Sequence, residues 1–104
     1  MGQKTKGSCT LMRVVWTRKA IRHLTDLQAY IEHDRPQAAR KVAAAIRETV
    51  ALLARYPHLG RPGRKAGTRE LVVADTPYIV PYQVRHDRTV ILAVLHGAQR
   101  PPER

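Results

Sequence analysis

The sequence predicts an α+β fold in which a helical hairpin packs on one face of a small, mainly antiparallel sheet, with the element order β-α-α-β-β-β. Three observations lead there. A β-branched and aromatic run, "MRVVW" at 12–16, precedes two segments of helical periodicity that meet at Pro36, and from about residue 68 the hydrophobic period falls to two. The patterned part, residues 12–100, makes a single domain, with 1–11 read as a flexible leader and 101–104 as a frayed tail.

After the first strand, Thr17 offers a hydroxyl N-cap, and Ile21, Leu24, Leu27 and Ile31 recur at helical spacing to about Asp34. Pro36 ends that helix, because it lacks an amide proton and restricts the residue before it, and it fits the first turn of the next. Val42, Ala45, Ile46, Val50 and Leu53 form the second helix's apolar stripe, and Pro57 closes it. "PHLGRPGRKAG", 57–67, reads as a loop with several turns. Strands are expected near 68–74, 78–86 and 89–96, joined by an Asp-Thr-Pro turn and by a tight hairpin at "HDR", 86–88. Pro81 conflicts with a central strand, since it cannot donate to a ladder; a local bulge would accommodate it.

A chain of 104 residues has room for one thin core, and without any Phe that core is aliphatic. Nineteen Lys and Arg against eight Asp and Glu give a net charge of +11, a field that attracts phosphate backbones, anionic membranes or acidic proteins. Arginine outnumbers lysine, which suits planar, bidentate recognition of anions. The single cysteine, Cys9, excludes an internal disulfide. No apolar run reaches the ~18 residues of a membrane span, and "MGQKTKGSCT" lacks the apolar stretch of a secretory signal, so a cytoplasmic location is expected.

Several chemistries fail on inventory. The only serine, Ser8, and Cys9 share the leader, where nothing holds a base beside them. His23, His33, His58, His86 and His96 never fall at metal-ligand spacing, and no phosphate-binding glycine motif occurs, so neither a metal nor a cofactor is expected. What survives is a set of cations at strand ends. Arg69, Arg85, Arg88, His96 and Arg100 could grip a phosphodiester while His96 or a tyrosine moved a proton, or they are solvated strand termini. Tyr78 and Tyr82 share one face of their strand, and at least one of them belongs to the core. Trp16 is either a lid on the core or a partner anchor.

The element order, "YPHLGRPG" after the second helix, "TRELVVADTPYIVPYQV" and the ending "VILAVLHGAQR" together resemble the RelE/ParE toxins of bacterial type II toxin–antitoxin systems, over about residues 12–100. The resemblance implies one scaffold with two activities. RelE-like members cut mRNA on the ribosome with basic residues of the sheet and a C-terminal Tyr or His; ParE-like members poison DNA gyrase by binding. Where the nuclease branch reads Tyr-Arg, followed by two apolar residues and Tyr, this chain reads Tyr78-Ile79-Val80-Pro81-Tyr82. Glu70 stands where that branch tends to present lysine, and "PPER" after Arg100 has no tyrosine.

The resemblance therefore implies a ParE-like toxin that is not an enzyme, inhibits DNA gyrase, and is neutralised by a small acidic antitoxin encoded beside it. The antitoxin would lie along Trp16, Ile21, Leu24 and Tyr30, and the target would meet Arg69, Arg85, Arg88, His96 and Arg100. The alternative it implies is a ribosome-dependent mRNA endonuclease using Arg69, Arg85, His96 and Arg100. A third reading, from charge alone, is a basic nucleic-acid module without toxicity.

Overall fold

The computed structural model describes residues 12–97. Strand β1 (Arg13–Trp16) leads into helices α1 (Arg18–Asp34) and α2 (Pro36–Ala51), which a 3-10 turn (Leu52–Ala54) extends. Five strands follow: β2 (Arg61–Pro62), β3 (Arg69–Val72), β4 (Tyr78–Val84), β5 (Arg88–Ile91) and β6 (Leu95–His96). They make one sheet in the order β1-β5-β4-β3-β2, with β6 paired to β4; only the β1–β5 pair is parallel. Both helices pack on one face of it, as the sequence predicts.

The strand count differs from the expected four. Strand β2 falls inside the segment read as a loop, and the last expected strand divides into β5 and β6. The division has a physical cause. Tyr82 registers with Ile91 and Ile79 with Leu95, so Val80 and Pro81 on β4 face the three residues 92–94, a bulge of one residue. The Pro81 carbonyl accepts from the Leu92 amide at 2.9 Å. In an extended strand the amide position of a residue points to the same edge as its carbonyl, so the proton that Pro81 lacks falls opposite the bulge, where the ladder is already interrupted.

The bulge in turn receives α1. Thr17 Oγ accepts from the Ala20 amide at 3.1 Å as the N-cap and donates to the Ile91 carbonyl at 2.8 Å, and the Thr17 amide donates to that same carbonyl. One turn further on, His23 Nδ1 accepts from the Val94 amide at 3.2 Å. Helix α1 is therefore fixed at its start and along its first two turns to the irregular part of the sheet. Arg35 donates its amide to Ile31 to close α1, and Pro36 opens α2 directly after it.

The core lies between helices and sheet. Ala20 and Leu24 of α1 and Ala43, Ile46 and Val50 of α2 meet Leu71, Val80, Tyr82 and Ile91 from the strands, with Leu53, Val73 and Val94 closing its margins. Small alanines on the helices let the backbones approach the sheet closely, which suits a core without phenylalanine. Tyr82 is the largest fully buried side chain. Its hydroxyl accepts from the Gly60 amide and donates to the Pro57 carbonyl, both at 2.8 Å, which ties the 57–60 loop to the middle of the sheet. Gly60 is a steric requirement here: a Cβ at that position would sit 2.7 Å from the Glu70 carbonyl oxygen and 2.8 Å from the Tyr82 ring and hydroxyl. At the β3–β4 turn, Asp75 takes a left-handed φ of 64°, a conformation aspartate tolerates better than most residues.

Two substitutions of opposite sign test this packing. Tyr82→Phe strands a buried amide and a carbonyl, and should cost about 2 kcal/mol and lower Tm by roughly 10 °C in thermal unfolding. Thr89 is fully buried and its hydroxyl finds no hydrogen-bond partner among the described residues. Thr89→Val, of nearly equal volume, should stabilise by about 1 kcal/mol.

Candidate functional site

An open groove of about 520 Å3 runs between β1, α1 and the end of α2. Trp16 and Val14 form its floor on the sheet side, Ile21 and Leu24 one helical wall, and Val50 and Ala51 the other, with Arg47 the cation on its rim. Ile21 exposes 52% of its surface there, an apolar side chain left in water by the fold itself. The periodicity of α1 placed Ile21 and Leu24 on one face, and the first strand delivers Trp16 to it.

Tyr30, expected in the same surface, is not among the groove's lining and is 81% exposed. It lies toward Tyr78, whose hydroxyl is held above its usual pKa of 10.0 by burial and secondarily by Tyr30. Arg47, Val50 and Ala51 went unread as groove residues. The stripe of α2 shows which face is apolar, but not that its last turn stops short of covering β1.

Of the five residues expected to act together, the four that are described, Arg69, Arg85, Arg88 and His96, do not assemble into one site. Arg69, Arg85 and Arg88 stand at the hairpin end of the sheet, where Arg85 and Arg88 flank the β4–β5 turn. His96 registers with Tyr78 at the other end of β4, about 20 Å away at ~3.3 Å per residue. There its ring meets that of Tyr78 edge to face, with centroids 5.4 Å apart and planes at 82°. Arg100 lies outside the described residues. Arg69 is occupied structurally: one guanidinium nitrogen donates to the Gly60 carbonyl at 2.6 Å and to that of His58 at 3.4 Å. Arg88 pairs with Asp87 at 3.0 Å.

The helix-free face of the sheet carries little that could cleave a phosphodiester. Strand alternation puts Ile79 and Pro81 of β4 on it, with Glu70 of β3 beside Pro81. Glu70 is buried and forms an ion pair with Arg61 at 3.3 Å, so the Arg61 cation is already matched by a carboxylate. Tyr82 points the other way into the core, with both hydrogen-bonding functions of its hydroxyl in use. Among the described residues, no group of three His, Cys, Asp or Glu could hold a metal ion, and no helix is long and apolar enough to cross a membrane.

Comparison with known proteins adds to this geometry. The family model described as the ParE toxin of the type II toxin–antitoxin system parDE matches residues 14–101. The chain is 50% identical over 91 residues to the candidate toxin Y4kP of Sinorhizobium fredii, covering 88% of this chain and 94% of that one. It is 36% identical over 89 residues to toxin RelE2 of Caulobacter vibrioides, covering 86% and 99%. Among solved structures, a chain of the chromosomal ParDE system of P. aeruginosa aligns with a TM-score of 0.75 at 28% identity, over 82% of this chain and 95% of that one. A chain of the RelBE2 toxin–antitoxin complex of Mycobacterium tuberculosis aligns with a TM-score of 0.59 at 26% identity, over 88% and 97%.

Two phenols, Tyr82 buried and Tyr78 partly buried, give a pH prediction. Burial raises the Tyr82 hydroxyl above the usual 10.0, against the Gly60 hydrogen bond and Arg69, which act to lower it, and Tyr78 is raised as well. The folded state therefore holds these protons more tightly than the unfolded chain. Their contribution is fully present below about pH 10 and is lost as pH rises through the folded values. Urea unfolding at pH 9 and pH 11 should show lower stability at pH 11, with a smaller drop in Tyr82→Phe.

Proposed function

The chain belongs to the ParE toxin family of type II toxin–antitoxin systems, and from that premise we propose that it arrests growth by binding DNA gyrase rather than by cutting RNA. The observation that carries this reading is the helix-free sheet face. Ile79 stands where the nuclease pattern has an arginine, and the Arg61–Glu70 pair puts a carboxylate beside Pro81 on the same face. Each missing transition-state contact to phosphate is worth about 3 kcal/mol, so such a face is a poor place to stabilise a pentavalent phosphorus. Binding alone needs no such constellation.

The same reading gives the apolar groove an occupant. An antitoxin segment would fold on contact into an amphipathic helix, set its apolar face against Trp16, Ile21 and Leu24, and offer a carboxylate to Arg47. A toxin of net charge +11 attracts a small acidic partner over long range, which speeds capture. Both solved neighbours come from toxin–antitoxin systems, which supports a partner of this kind.

Inducible expression tests the target. Growth arrest should arrive with DNA-damage signalling, while the 5′ ends of ribosome-bound transcripts stay unchanged; codon-positioned cleavage without a damage response would reverse the reading. Ile21→Asp tests the groove. It should preserve the fold and the arrest, yet weaken antitoxin binding at least tenfold in a titration, so that co-expressed antitoxin no longer rescues growth.

A further inference from the structure

The two edges of the sheet are finished differently. At one, β2 is two residues long and one of them is Pro62, a blunted edge that resists a further strand. At the other, β1 pairs with β5 alone. Trp16 is in register with Ile91, and the Ile91 carbonyl accepts from the Thr17 amide at 3.1 Å. In a parallel ladder that pattern turns the backbone groups of Arg13, Val15 and Thr17 toward β5 and those of Met12, Val14 and Trp16 outward. The Met12 amide agrees, donating to the Ala54 carbonyl at 2.7 Å. Beyond that point the edge is open: among the described residues, nothing takes the amide or the carbonyl of Val14 or Trp16.

Those two residues are also the floor of the apolar groove, because their side chains stand on the helix-bearing face while their backbones face the edge. A helix about 10 Å across seated on Trp16 therefore overhangs the last strand of the sheet. A strand added to β1, about 4.8 Å further out, would lie beneath that helix and satisfy the open amides and carbonyls. Side chains on such a strand alternate. Those level with Val14 and Trp16 enter the groove and must be apolar; one between them emerges on the helix-free face, where Arg13 is exposed.

We infer that a short extended segment of the acidic partner pairs with the open edge of β1, beside the helix that fills the groove, its residues reading apolar, acidic, apolar. Main-chain hydrogen bonds hold the segment, and the Arg13 guanidinium selects the carboxylate. Charge decides against the other source of a strand, a second copy of this chain: two molecules of net charge +11 repel, and each would bring another Arg13 to the seam. The inference rests on the toxin–antitoxin reading and adds a backbone contact to the side-chain contacts of the groove.

Proline at position 14 isolates the edge. The Val14 amide points outward, so Val14→Pro removes an edge donor and leaves the β1–β5 ladder bonds in place; Val14→Ala trims the side chain and keeps the amide. With circular dichroism and melting used to show that both variants fold, calorimetric titration with antitoxin expressed from the adjoining reading frame should find Val14→Pro binding at least about tenfold more weakly than Val14→Ala. In the unsubstituted complex with both chains isotope-labelled, the Val14 and Trp16 amides should show couplings across hydrogen bonds to antitoxin carbonyls, a readout that stands even if Val14→Pro fails to fold. Equal affinities of the two variants and no such couplings, while Ile21→Asp still weakens binding, would leave the groove reading in place and remove the strand. If Ile21→Asp binds normally as well, the groove reading falls with it. A dimer of the free protein in light scattering that Val14→Pro abolishes would assign the edge to a second copy instead.

Discussion

The hydroxyl of Tyr82 is the constraint on which the far half of the sheet depends. It is buried in the centre of β4, yet both its hydrogen bonds go to the backbone of the loop after α2, at Gly60 and Pro57. Arg69 clamps the same loop from the other side through the Gly60 and His58 carbonyls. With the loop held, β2 can lie against β3, Arg61 can reach Glu70, and the turn at 63–68 is brought beside the β4–β5 hairpin. In a domain whose net stability is a small difference between large terms, one polar pin in an aliphatic core has a disproportionate effect.

The near half depends on a different irregularity. The bulge at 92–94 exposes backbone groups that a regular ladder would have used, and α1 takes them through Thr17 and His23. Because Thr17 also caps α1, one side chain sets both where the helix begins and how it sits on β5. That angle fixes the spacing between Ile21 and Trp16, and so the width of the apolar groove. The groove and the 57–60 loop are thus held by two separate supports on one sheet.

Much of this was legible in the sequence because it rests on local rules. Pro36 between two apolar stripes predicts the hairpin, Asp75-Thr76-Pro77 predicts the turn, and Pro81 announces an interrupted ladder. Strand β2 was not legible: two residues, one of them proline, carry no period, and the pairing is made beside a loop that Tyr82 and Arg69 hold against the sheet. The cations were legible as a set but not as a place. Arg85 and His96 are near in sequence to the same strands, yet register sends them to opposite ends of β4, and register is a long-range property of pairing. Groove residues from α2 stayed hidden for a related reason, since an uncovered stretch of helix looks the same as a covered one until its neighbours are placed.

The parallel pairing of β1 with β5 brings Trp16 alongside Ile91, joining the first strand to one that is made more than seventy residues later. During synthesis β1 has no strand to lie against until both helices and the strands before β5 have emerged, and the floor beneath Trp16 cannot form earlier. The floor of the groove therefore forms only once β5 has been made and has paired with β1, so a partner that recognises it meets a chain in which that pairing is complete. The order of assembly is written into which strand is left waiting.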